Sequence, residues 1–176
     1  YYALRANTTG TENSALGSQA LAANTTGSAN IAIGFEALDA NTTGSNNTAV
    51  GRSSLGANTT ASNNTAVGYH ALKVNTTGNP NTAIGANALD ANTTGGSNTA
   101  VGKDALGVNI TGGSNTAVGR GSLQANLGNS NTGLGAYALQ TNTTGQYNVA
   151  VGQQALDQST TADHNTAVGY YALQAN

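Results

Sequence analysis

Asn81-Thr82-Ala83-Ile84-Gly85-Ala86-Asn87-Ala88-Leu89-Asp90-Ala91-Asn92-Thr93-Thr94-Gly95-Gly96-Ser97 is one copy of the unit that builds the whole chain. A shift of seventeen residues returns Asn98-Thr99-Ala100-Val101-Gly102, and a second shift returns Asn115-Thr116-Ala117-Val118-Gly119. So short a period specifies an array of stacked units, not the single compact domain that 176 residues would otherwise suggest.

With the unit numbered 1 to 17 from its first Asn, Gly holds position 5 from Gly17 to Gly169. The interval is seventeen except between Gly119 and Gly135, where Asn126-Leu127-Gly128 replaces Asn-Thr-Thr-Gly. Position 4 is always aliphatic, from Leu16, Ile33 and Val50 to Val168, and position 9 is always Leu, from Leu4 to Leu173. Position 1 is always Asn, and position 12 is Asn except at Ser159. The variable positions are equally informative. Every charged side chain, every aromatic, both histidines and Pro80 fall at positions 6, 7, 10, 16 or 17. Those five positions are expected to face solvent, and the rest a core, a turn or a partner.

A helix is a poor match for a unit so rich in Gly, Asn and Thr. The pattern predicts a short strand at positions 2–4, a Gly turn, a second short strand at 8–11, and an Asn-Thr-Thr-Gly turn. One unit cannot bury its own Val and Leu; stacked units can, with Val on Val and Leu on Leu at the ~4.8 Å strand spacing. The expected fold is all-β, a parallel β-solenoid or β-roll of about ten coils, spanning on the order of 50 Å. Residues 1–176 form one array, read as a fragment of a longer repeat protein because both ends fall inside a repeat. Tyr1-Tyr2-Ala3-Leu4-Arg5-Ala6-Asn7 nearly recurs as Tyr170-Tyr171-Ala172-Leu173-Gln174-Ala175-Asn176, which points to a second, longer period. Stacked Asn amides both donate and accept, so the columns at positions 1 and 12 are expected to form turn-fixing ladders.

Stacking brings like positions together. Lys73 is expected to meet Asp90 at position 10, Asp104 to relieve Lys103 and Arg120, and Arg52 to lie between Phe35 and Tyr69 in a cation–π sandwich. Phe35, Arg52, Tyr69 and His70 form one candidate ligand-binding cluster; Tyr137 with Tyr147, and Tyr170 with Tyr171, form two more.

Composition narrows the function. Only 7% of residues are charged and the formal net charge is −2, so no basic footprint for nucleic acid exists. No run of residues is apolar enough for a membrane helix, and without Cys there are neither disulfides nor thiolate metal sites. No catalytic set is expected: His70 and His164 stand too many coils apart to share a site, and Glu36 with Asp39 has no cleft around it. No Asp column suits a calcium-binding roll, Gly133-Leu134-Gly135 belongs to the repeat, and neither metal nor cofactor is expected. Asn41-Thr42-Thr43 and Asn109-Ile110-Thr111 read as N-glycosylation triplets, although the repeat accounts for them without that role.

The run Asn-Thr-Ala-Val-Gly-x-x-Ala/Ser resembles the head repeat of trimeric autotransporter adhesins, with its Asn-Ser-Val-Ala-Ile-Gly-x-x-Ser pattern. It is also similar to segments of phage tail fibres and bacterial surface proteins. The unit here is longer by Leu-x-x-Asn-Thr-Thr-Gly, and Thr, as at Thr48 and Thr65, stands where the family has its first Val. The resemblance implies a left-handed roll, three chains side by side, outside the cell or on a virion. The variable positions are expected to form a display surface for a glycan, a host protein or another cell. Columns of Ala at positions 3 and 8 independently permit close approach of another chain; the alternative is a thin monomeric solenoid that uses them as inner packing. The competing expectation is an ice- or crystal-surface binder using threonine columns such as Thr42 and Thr59. Of the adjacent columns in Thr42-Thr43, only one is expected to face out.

Overall fold

A computed structural model describes residues 1–174; Ala175 and Asn176, the end of the terminal recurrence, lie outside the described residues. Ten short strands form one parallel sheet in sequence order, from β1 (Ser14–Leu16) through β5 (Asn81–Ile84) and β6 (Asn98–Val101) to β10 (Thr166–Val168). Register is strict: Thr48, Ala49 and Val50 lie over Thr65, Ala66 and Val67. The chain is an all-β solenoid of about nine turns, with no helix among the described residues.

The expected second strand at positions 8–11 does not form. Residues at positions 7 and 9 adopt left-handed backbone, as at His70 (φ 58°) and Leu72 (φ 49°), so the segment cannot run extended. It folds instead into consecutive tight turns, with Ala71 N–H donating to Gly68 O and Asn75 N–H to Leu72 O. Coil-to-coil bonding persists, as in Leu72 N–H to Ala88 O at 3.0 Å. Left-handed backbone costs a non-Gly residue roughly 1–2 kcal/mol. Leu keeps the position because it is the one large interior side chain of each coil, and its full burial is worth about 1.5–3 kcal/mol.

The wall at positions 2–4 is turned opposite to the expectation. Ala32, Ala66 and Ala83 at position 3 point inward at 0% exposure, beside Ala71 and Leu72. The aliphatic column at position 4 points outward, with Ile33 and Ile84 each 40% exposed. Alternation forces position 3 to oppose positions 2 and 4. The narrow interior, already holding Leu, accepts a methyl group there. The Ala columns are therefore internal packing, not a surface for another chain. Where Ser122 takes position 8, Gly133 replaces the facing Ala; a Cβ there would lie 2.5 Å from the Ser122 hydroxyl, which donates to Gly133 O.

The other half of the interior is polar and fully paired along most of its length. Asn58 Nδ2 donates to Asn41 Oδ1 one coil away at 2.9 Å and to Ala61 O at 3.0 Å. Asn47 Nδ2 donates to the same carbonyl at 2.9 Å, while its Oδ1 accepts the backbone N–H of Asn64. From Gly27 to Gly145 the turn carbonyl of each coil accepts from two asparagines, using both lone pairs. The ladders anticipated from sequence are present, and they are buried. At position 5 the backbone passes so close to its neighbour that a Cβ on Gly85 would lie 2.6 Å from Gly102 C, at a φ of 133° that side chains avoid.

Candidate recognition surface

Two kinds of exposed surface run along the rod. The first is the outer face of the sheet, where Thr at position 2 and Val or Ile at position 4 project side by side from successive strands. Its residues are half-buried to exposed, as at Thr65, Val67, Thr82 and Ile84. The second is the variable edge formed by positions 6, 7 and 10, with positions 16 and 17 at the opposite corner.

The variable edge gathers some of the anticipated pairs. Arg52 lies 5.6 Å from the Phe35 ring centroid, but Tyr69 does not close the sandwich: its ring stacks on His70 at 3.7 Å. Tyr170 and Tyr171 meet edge to face at 4.3 Å. Tyr137 and Tyr147 do not form a cluster of their own. Tyr137, at position 7, lies under Arg120 at 5.5 Å, while Tyr147, at position 17, stacks on His164 at 5.0 Å. Position 17 is at another corner of the coil, which separates the two tyrosines. The Tyr147–His164 and Arg120–Tyr137 pairs were missed in sequence although both are seventeen residues apart and so join adjacent coils.

Charge follows the same geometry. Lys103 pairs with Asp104 at 2.5 Å, the single ion pair among the described residues. That contact holds the Asp104 carboxyl below its ordinary range. Lys73 and Asp90 are near neighbours without forming such a pair. At position 10 Gly56 leaves the rung between Asp39 and Lys73 without a side chain, opening a cavity of about 240 Å³ walled by Glu36 and Ser53. Burial, then the charge of Glu36, pushes the Asp39 carboxyl up. Burial, then Lys73 and Arg52, pushes the His70 imidazole down. Phe35, Arg52, Tyr69 and His70 thus flank the same stretch of edge as this cavity. Among the described residues no group of three or more metal-ligating side chains converges.

The threonine columns of the turn divide as alternation requires. Position 13 is bonded to the next coil, as in Thr42 Oγ1 donating to Thr59 O at 3.0 Å, and position 14 is exposed, as at Thr43 and Thr60. No protein-family profile, curated protein or solved structure matches this chain.

Proposed function

We propose that the chain is a stiff segment of an extracellular structural and adhesive fibre, in which copies associate side by side as a homotrimer through the outer sheet face. The variable edge then remains free to meet a cell, a glycan or another surface. One observation carries this reading. The coils are repeated trials of the same unit, and their exposed columns behave in two ways. Positions 6, 7, 10, 16 and 17 vary without pattern, whereas positions 2 and 4 stay Thr-like and aliphatic from β2 (Ile31–Ile33) to β10. An exposed column held apolar along the length of a rod is the signature of a covered face. Covering a half-exposed Val or Ile is worth on the order of 1 kcal/mol per coil, and the rod multiplies that gain by its length.

Sedimentation equilibrium tests the reading. A mass three times the chain is expected, and Val67→Lys with Val101→Lys should give monomers of unchanged circular dichroism. A wild-type monomer at high concentration refutes it. For the edge, a glycan-array screen in which Phe35→Ala and Tyr69→Ala leave all binding intact removes that cluster from the adhesive role.

The same face supports a second reading, as an ice- or crystal-surface binder. The turn threonines offer a single outward column, but the sheet presents two in strict register, Thr48-x-Val50 over Thr65-x-Val67. Thermal hysteresis of the purified chain is the test, and its absence disposes of this alternative.

A further inference from the structure

The chain carries Asn-x-Thr triplets in two structural settings. Most are at position 12, where, from Asn24 onward, both amide hydrogens are already used: Asn41 Nδ2 donates to Asn24 Oδ1 and to Gly44 O, and the residue is wholly buried. Such a nitrogen is neither reachable nor free to react. Only Asn7, in the first coil, is part-buried and donates to Gly10 O alone. Two further triplets arise where position 17 is Asn and is followed by the Asn-Thr of the next coil: Asn46-Asn47-Thr48 and Asn63-Asn64-Thr65. Asn46 and Asn63 are exposed, in left-handed backbone at φ 59° and 62°. Their main chains are pinned by N–H donation to Ser28 O and Ser45 O, whereas neither carboxamide is hydrogen-bonded. Asn46 and Asn63 are each other's neighbours in this column, with the small Ala29 beyond the first and Pro80 beyond the second.

We propose that Asn46 and Asn63 are the asparagine-glycosylation sites of the folded rod, modified by a transferase that uses a nucleotide-activated hexose. Asn Nδ2 bonds to hexose C1 as the C1–O bond to the diphosphate breaks. The nucleoside diphosphate leaves with the electron pair, and the Nδ2 proton passes to the enzyme's base. Sugar attached there stands at the corner between the sheet face and the turn. The same geometry makes modification before folding destructive, since a glycosylated position-12 Asn cannot complete its ladder.

The experiment treats the folded 176-residue chain with a soluble asparagine glucosyltransferase and UDP-glucose, and maps hexose by peptide mass spectrometry. Label is expected on Asn46 and Asn63 and absent from Asn24, Asn41 and Asn58. The Asn46→Gln, Asn63→Gln variant should lose at least tenfold of the incorporated hexose while keeping its circular dichroism. Hexose on Asn41 or Asn58 of the folded chain overturns the proposal, as does its absence from both Asn46 and Asn63.

Discussion

Asn41 Nδ2 donates to Asn24 Oδ1 across 2.8 Å, from one coil to the next, and neither side chain touches solvent. This bond, repeated along the rod, converts a sequence period into a coil stack of fixed register. A buried amide without its partner bears its full desolvation penalty, so a slipped coil is disfavoured at every rung.

Breaking the ladder in the middle is therefore costly. Asn58→Leu strands Asn41 Oδ1, removes one donor from Ala61 O, and deprives Asn75 Nδ2 of its acceptor. A loss of about 2–4 kcal/mol is expected, measured by urea unfolding followed by circular dichroism. A change below ~0.5 kcal/mol would show that the ladder contributes little beyond a surface substitution.

Ser159 stands where the repeat has Asn, and both its hydroxyl and Asn142 Oδ1 are buried without a partner. Ser159→Asn supplies a donor for Asn142 Oδ1 and for the turn carbonyl of Ala162. A gain of about 1 kcal/mol is expected, together with slower amide exchange in that coil. The other ladder fault is Asn109 Oδ1, which faces the next coil, the one shortened by one residue. There Asn126 Oδ1 serves Asn131 and Asn142, and Asn126 Nδ2 bonds Gly128 O instead of reaching back to Asn109.

Leu72 combines full burial with a φ of 49°. Leu72→Met keeps volume and tolerates the backbone, at a cost under about 1.5 kcal/mol. Leu72→Ile has the same volume but a branched Cβ that clashes in left-handed backbone, and it should cost about 1–2 kcal/mol more. Equal thermal midpoints for the two variants would contradict the backbone argument.

Asp39 has its carboxyl pushed up by burial and by Glu36. A raised folded value stabilises the protonated form, so this contribution is fully present below the unfolded value and is lost as pH rises through the folded one. Asp39→Asn should flatten that part of the profile, raising the thermal midpoint near neutral pH relative to wild type and changing it least in acid. A variant whose midpoint tracks wild type from pH 3 to pH 7 would refute the assignment.

Much of the surface was legible from one line of sequence. Confinement of Phe35, Arg52, Tyr69 and His70 to variable positions placed them outside, and the period placed Arg52 over Phe35. The pairing of Tyr69 with His70 was not legible, because the left-handed turn at position 7 swings His70 back alongside its neighbour. The notch at Gly56 depends on three successive coils together, Asp39, Gly56 and Lys73, and no single unit contains it.

By itself the sequence determined the coil length, the membership of every column and which positions are free to vary, because a repeat can stack on itself in only one register. The tertiary structure alone decided which side of the wall each strand residue occupies. Ala and Val are both apolar, and alternation says only that they oppose one another. The inward side went to Ala because Leu and two asparagines already fill the coil, and the aliphatic stripe that reads as core became the outer face of the rod.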